Sequence, residues 1–339
     1  MYPNRAALLC LLLASCAAED AVVELRGSTM GTIYTVKIGK LAASVDEKTL
    51  HAELEGILAR INGRMSTYDP DSELSRFNAA PTTEWVPMSA ETVRVVEEAL
   101  EVSRLTDGAF DVTVGPLVDL WGFGPAPAPE EPPSDDEIAA ARERVGFERL
   151  HARTSEPALR KDHPQLRVDL SAIAKGYAVD QLAEHLESRG VSDYMVEIGG
   201  EVRAHGDHPR GSPWRIGIEK PVTDGRSIQR VLHIRNRGLA TSGDYRNFIE
   251  LDGKRLSHTI DPRTWRPVTH ELASVTVMAE SSMRADALAT GLMALGPEGA
   301  RDLAEREQIA ALLIIRSDVG FREEPTPQIA EALSGKGEH

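Results

Sequence analysis

Apolar and polar positions alternate along residues 22–38, "VVELRGSTMGTIYTVKI", with β-branched residues gathered toward the end, so two strands are expected around a turn at Gly31. The period then changes. Leu50, Leu54, Ile57, Leu58 and Ile61 recur at helical spacing, and Ser44 with Glu47 offers a capping box ahead of them. Residues 66–81, "STYDPDSELSRFNAAP", are expected to form a polar loop, followed by a helix from Ser89 to about Leu105 that Gly108 ends. Residues 122–138 are Pro-rich and acidic and predict a surface loop, after which Ser134 and Glu137 cap a short helix. Residues 171–190 carry Ile173, Tyr177, Leu182 and Leu186 on one helical side, with Gly190 as the stop. Strand-like pieces dominate from 193 to 279. A helix at 284–296 ended by Pro297, another at 298–307 and a strand at 310–317 complete the core, and residues 323–339 are assigned to a polar tail. Helices lead, strands follow and helices return. That is an α+β pattern, without the regular βαβ alternation of a doubly wound fold.

The first residues add a location. One Arg precedes an apolar run from Ala6 to Leu13, too short to span a membrane and suited to a signal-peptide core. "LASC" at 13–16 looks like a bacterial lipobox, so residues 1–15 are expected to be a signal peptide and Cys16 the lipidated first residue of an anchor linker over 16–22. The expectation is an exported lipoprotein on a bacterial membrane, facing the periplasm or the cell exterior. An ordinary signal peptide with an incidental Cys16 is the competing reading. Only Cys10 and Cys16 occur in the chain, so the domain over 23–322 has no thiol for a disulfide, a nucleophile, a zinc site or an iron–sulfur cluster.

With 339 residues, 41% hydrophobic and 27% charged, the chain can bury a sizeable core. A net charge of −15 argues against nucleic acid as a partner. It leaves room for an anionic ligand, because a metal ion or one basic side chain can reverse the field locally. There is no G-x-G-x-x-G after a strand, no P-loop, no H-E-x-x-H and no G-x-S-x-G.

What remains are short stretches dense in Gly, Asp, Ser and Thr. "VDLSAIAKGYAVD" (168–180) places Asp169 and Lys175 at a helix start, where free N–H groups and an ammonium suit phosphate; Asp169 as a plain cap and Lys175 in solvent explain it equally well. Tyr68 stands in a polar stretch, where an aromatic ring either stacks on a flat ligand or covers the core. "EIGGEVRAHG" (197–206), "ATSGDYRNF" (240–248) and "SHTIDPRTWRPV" (257–268) are turn-rich, and the last carries His258 and Asp261. In "MRADALATG" (283–291), Asp286 and Thr290 share one helical face among small neighbours; Thr290 bonding back to a carbonyl and Asp286 facing water is the ordinary alternative.

Together with "MGTIYTVKI" (30–38), "MSTYDPDSELSRFN" (65–78) and "GAFDVTVGPLVDLWGFG" (108–124), these stretches in this order resemble the ApbE family across residues 23–315. The resemblance implies an ApbE-like, T-fold-like mix of helices and largely antiparallel sheet, with an FAD pocket between the halves. It implies Mg²⁺-dependent transfer of FMN from FAD to a Ser/Thr hydroxyl of an acceptor protein, with AMP released. The acceptor class it implies is a flavin-carrying subunit of a membrane redox complex. By motif, Asp286, Thr290 and the Ala172 carbonyl would be Mg²⁺ ligands, a set of few oxygens that fits this hard ion. Met30, Tyr68, Ala109, Phe110, Asp111, Asp169, Lys175 and Ile260 would contact FAD, and His258 is the candidate base for the acceptor hydroxyl. Hydrolysis of FAD to FMN and AMP, and non-catalytic FAD binding by a lipoprotein, are the alternative functions.

Overall fold

The Met30–Gly31 turn sets the first hairpin. Strands β1 (Val23–Thr29) and β2 (Thr32–Ile38) pair antiparallel with Thr29 opposite Thr32, and both turn residues have positive φ, 49° and 71°. That is the two-residue geometry whose twist matches a hairpin. Glycine adopts it freely; Met30 does so only because its neighbours hold it there. The computed structural model describes residues 22–41, 45–124, 129–222, 225, 227–245, 248–251 and 254–334. The expected signal peptide, Cys16 and nearly all of the anchor linker lie outside them.

Six further strands extend the hairpin: β3 (Tyr194–Ile198), β4 (Glu201–His205), β5 (Arg237–Gly243), β6 (Leu272–Ala279), β7 (Ala310–Ser317) and β8 (Gly320–Pro325). They form one open antiparallel sheet in the order β1-β2-β3-β4-β5-β6-β7-β8. Alternation loads both faces. Val196, Ile198, Val275, Val277, Leu313 and Ile315 join the main core under the helices, whereas Val202, Ala204, Leu239, Leu312 and Ile314 point the other way onto Trp214, Leu232 and Ile329. The principal helices are α1 (Glu47–Met65), α2 (Ala90–Leu105), α3 (Ala174–Ser188) and α4 (Ser282–Arg306); α3 and α4 pack on each other and on the sheet. Among the described residues no helix is long and apolar enough to cross a membrane.

The structure changes several local expectations. Ser44 lies outside the described residues; helix α1 begins at Glu47, with the Asp46 side chain accepting from the Thr49 N–H. Residues 73–79, expected within a loop, are a short helix that Ser72 caps and that buries Leu74 and Phe77. Helix α3 starts at Ala174, not 171, because Asp169 and Ser171 are used in the turn before it. Part of the assigned polar tail is structured: Glu323 and Glu324 belong to β8, and after Pro325 Ile329 is buried beneath the sheet. The Ser134–Glu137 capping box forms as expected.

The "MRADALATG" stretch lies in the first part of α4, and the expected break before Pro297 is present: two helical segments meet at Gly296, whose backbone is not helical. Gly296 takes φ 77°, and Pro297 follows without an N–H. The carbonyl four residues before Pro297 is that of Met293, and the His270 ring supplies the missing donor to it from Nε2 at 2.9 Å. That bond needs the Nε2–H tautomer, and the Nδ1 atom is buried without a partner. Burial depresses the His270 pKa below 6.5 despite the pull of Met293 O, Asp244 and Glu271. A base whose folded pKa is lowered is protonated first in the unfolded chain. The expected outcome is a melting temperature that falls as pH drops from 6.5 toward the depressed value, and levels off below it. Melts of His270→Gln, which keeps a donor for Met293 O but does not titrate, should lack that slope.

Candidate functional site

Helices α3 and α4 meet backbone to backbone. A Cβ added to Gly176 would lie 2.4 Å from the Ser282 carbonyl oxygen and 2.7 Å from Met283 Cα, so only glycine permits this approach. Asp180, one turn along α3, fixes the crossing. It accepts the Ser282 and Met283 N–H groups at 2.9 Å each, and the Arg203 guanidinium at 2.9 Å. These N–H groups open α4, where a carboxylate also meets the positive end of the helix dipole. Ser281 adds its side chain to the Arg284 N–H.

One turn into α4, Asp286 faces the start of α3 and is 5% exposed. Its Oδ2 accepts the Gly176 N–H at 3.2 Å. In a regular first turn that N–H would seek the carbonyl of Ala172, four residues earlier. The neighbouring bonds do follow the helix, with Ala174 donating to Leu170 and Tyr177 to Ile173. Asp286 has taken the place of the Ala172 carbonyl, which is left without this partner. Thr290, on the same face, makes no hydrogen bond back along its helix, in contrast to Ser103 and Thr106, which both do. Asp286 and Thr290 share one helical face, and the Ala172 carbonyl does not take the Gly176 N–H that goes to Asp286. Among the described residues no group of three or more His, Cys, Asp or Glu gathers as a metal cage. A carboxylate, a hydroxyl and a carbonyl match Mg²⁺, which keeps water and substrate phosphates as its other ligands.

Lys175 bridges the site. Its Nζ is 3.1 Å from Glu201 Oε1, 3.4 Å from the Ser171 carbonyl and 3.6 Å from Asp286 Oδ2. Burial works against its charge, but Asp286 and Glu201 outweigh it and hold the ammonium pKa above its usual range. Burial is also the main influence on Glu201 and Asp286, raising both carboxyls while Lys175 draws them back. Glu201 and Asp180 are the residues that sequence reasoning missed. Both stand in quoted stretches, "EIGGEVRAHG" and "VDLSAIAKGYAVD".

Around this centre, Asp169 ties two loops together. Its N–H donates to the Val112 carbonyl at 2.7 Å, and its carboxylate accepts from Ser171 N at 2.8 Å. Ala109 and Phe110 are buried, and Phe110 lies against α4 at Gly291, where a Cβ would come within 3.2 Å of it. The Asp111 carboxylate is turned inward: it accepts Thr113 N, Thr113 Oγ1 and Phe147 N at 2.7, 2.7 and 3.0 Å. Burial pushes its pKa up to about 6 against those bonds. Its side chain therefore shapes the loop, and what it can offer a ligand is its backbone. Tyr68 is 77% exposed beyond the end of α1, a ring free to stack. Ile260 is buried with Leu117 and Trp121, and His258 is half-buried between the strand Lys254–Ser257 and Ile260.

The ApbE family model matches residues 30–313. An FAD:protein FMN transferase of Vibrio cholerae is 48% identical over 324 residues, 96% of each chain. One of Escherichia coli K12 is 41% identical over 94% of this chain and 90% of its own. The solved flavin transferase ApbE of Vibrio cholerae superposes with a TM-score of 0.85 at 48% identity, covering 92% of this chain and 99% of that one. The apo flavinyl transferase ApbE of Pseudomonas stutzeri does so at 0.85 and 42% identity, over 94% and 98%. Their match to an open antiparallel sheet under α3 and α4 agrees with the expected fold, and this chain belongs to the ApbE family.

Proposed function

We propose that this chain, a transferase that moves FMN from FAD to a protein, works with Mg²⁺ and attaches the flavin as a phosphoester to a Ser or Thr hydroxyl. The acceptor oxygen bonds to the phosphorus on the flavin side, the pyrophosphate bond breaks, and AMP leaves. The observation that carries the Mg²⁺ reading is the diversion of the Gly176 N–H to Asp286, which leaves the Ala172 carbonyl open beside that carboxylate. Asp286, Thr290 and the Ala172 carbonyl would hold the ion, which when bound neutralises charge on the pyrophosphate. Lys175 orients and neutralises phosphate oxygens, such transfer depending chiefly on position and charge. Tyr68 stacks on a flat ring of FAD, Met30, Ile260 and the backbone of 109–111 line the pocket, and His258 takes the hydroxyl proton. The signal-like first residues and the "LASC" stretch support an exported lipoprotein anchored through Cys16, and its acceptor would be a flavin-carrying subunit of a membrane redox complex.

The test is incubation with FAD and a candidate acceptor, with and without Mg²⁺. A fluorescent acceptor band on a denaturing gel, with equimolar AMP, is expected only when Mg²⁺ is present, and chelation should remove both. AMP with free FMN and no labelled protein would mean hydrolysis, and no AMP under any condition would leave binding alone.

A further inference from the structure

We infer that Glu201 is a positioning residue that draws the Lys175 ammonium off Asp286, leaving that carboxylate open to a divalent cation. The inference rests on the Mg²⁺ reading above. Lys175 Nζ sits among three oxygens, Glu201 Oε1, the Ser171 carbonyl and Asp286 Oδ2. The last belongs to the carboxylate that would ligate the ion, and the Ser171 carbonyl is next to that of Ala172. An ammonium in this place and a metal ion compete for the same charge. Which prevails depends on what else the ammonium can hold.

Glu201 supplies that alternative. It is the first residue of β4, opposite Ile198 across the Gly199–Gly200 turn, whose φ values of 63° and 111° only glycine takes easily. The turn fixes Glu201 facing inward at 4% exposure. Its Oε1 makes the shortest of the three contacts to Lys175. Its Oε2 is buried with no hydrogen-bond partner. A buried carboxylate oxygen left unpaired is costly, so a second N–H from the ammonium is favoured there. Lys175 therefore has a site to move into, away from Asp286, without becoming an unpaired buried charge.

The test measures binding, not turnover. Mg²⁺ is titrated into FAD-free protein by calorimetry, with melting temperatures recorded to confirm folding. In Glu201→Gln the ammonium keeps Asp286 as its remaining carboxylate, and the Mg²⁺ midpoint is expected to rise on the order of tenfold, as for other residues that orient metal ligands. Lys175→Met should bind Mg²⁺ at least as tightly as the unaltered chain, and adding Lys175→Met to Glu201→Gln should restore the midpoint. A Glu201→Gln midpoint equal to that of the unaltered chain overturns the inference. So does a double variant as weak as Glu201→Gln alone, or weakened binding in Lys175→Met. Asp286→Asn separates the two readings: unchanged Mg²⁺ binding in that variant would remove the metal assignment itself.

Discussion

Asp286→Asn is expected to leave a folded protein that transfers FMN about 10²–10³-fold more slowly, the order of loss when one preorganised charge-stabilising group is removed. The amide keeps an oxygen where Asp286 Oδ2 accepts the Gly176 N–H at 3.2 Å, so the α3–α4 contact survives. Lys175 keeps Glu201 as its counter-charge at 3.1 Å. What is lost is the negative charge that would hold Mg²⁺ against the pyrophosphate. Asp286→Ala removes the acceptor as well and leaves the Gly176 N–H buried without a partner, which adds a stability cost of about 1–3 kcal/mol. The two variants therefore separate chemistry from folding. AMP release over a range of Mg²⁺ concentrations, beside a thermal melt, is the measurement. Near-normal Mg²⁺-dependent transfer by a well-folded Asp286→Asn would refute the assignment of this carboxylate to the metal.

Interactions that close within a few residues were legible in the sequence, and those that close across the fold were not. The Ser134–Glu137 capping box is an exchange between neighbours, and its residue types alone announce it. The short helix Glu73–Ala79 offers only Leu74 and Phe77 to a periodicity search. Its stabilising partners are remote: Glu73 accepts from Ser89 N and Oγ, and from Thr92 Oγ1, at the start of α2. The second half of strand β8, from Glu323, read as the start of a tail for a similar reason. It is the edge of the sheet, where charged residues are ordinary, and Glu324 is paired with Arg301 of α4.

The candidate site divides the same way. Asp286 and Thr290 stood out because their one-turn spacing is a local fact. The small residues around them have a packing reason as well: Gly291 lets α4 lie on Phe110 and Thr106. Glu201 was hidden because its significance is a 3.1 Å contact to a residue on another element. Asp111 shows the converse, an acid whose motif position suggested a ligand contact but whose carboxylate serves the turn at Thr113 and Phe147.

Asp180→Ala is expected to produce the largest loss of stability, about 3–5 kcal/mol, with transfer activity falling alongside it. Removing the carboxylate leaves Arg203, half-buried, without its carboxylate partner at 2.9 Å. Breaking one side of such a pair carries a cost of that size because the remaining charge stays desolvated. It also frees the Ser282 and Met283 N–H groups at the start of α4, both otherwise satisfied at 2.9 Å. Urea unfolding should show a lower midpoint with an unchanged slope. Adding Arg203→Met to Asp180→Ala removes the stranded charge and should recover part of the stability. The freed N–H groups remain, so recovery is incomplete, and Asp286, four residues beyond Ser282, is no longer held against Gly176 at its proper height. Stability should then return further than activity does. If the double variant regained both in equal measure, Asp180 would act only as a counter-charge for Arg203. If it regained stability alone, Asp180 would be the residue through which α3 sets the position of the catalytic helix.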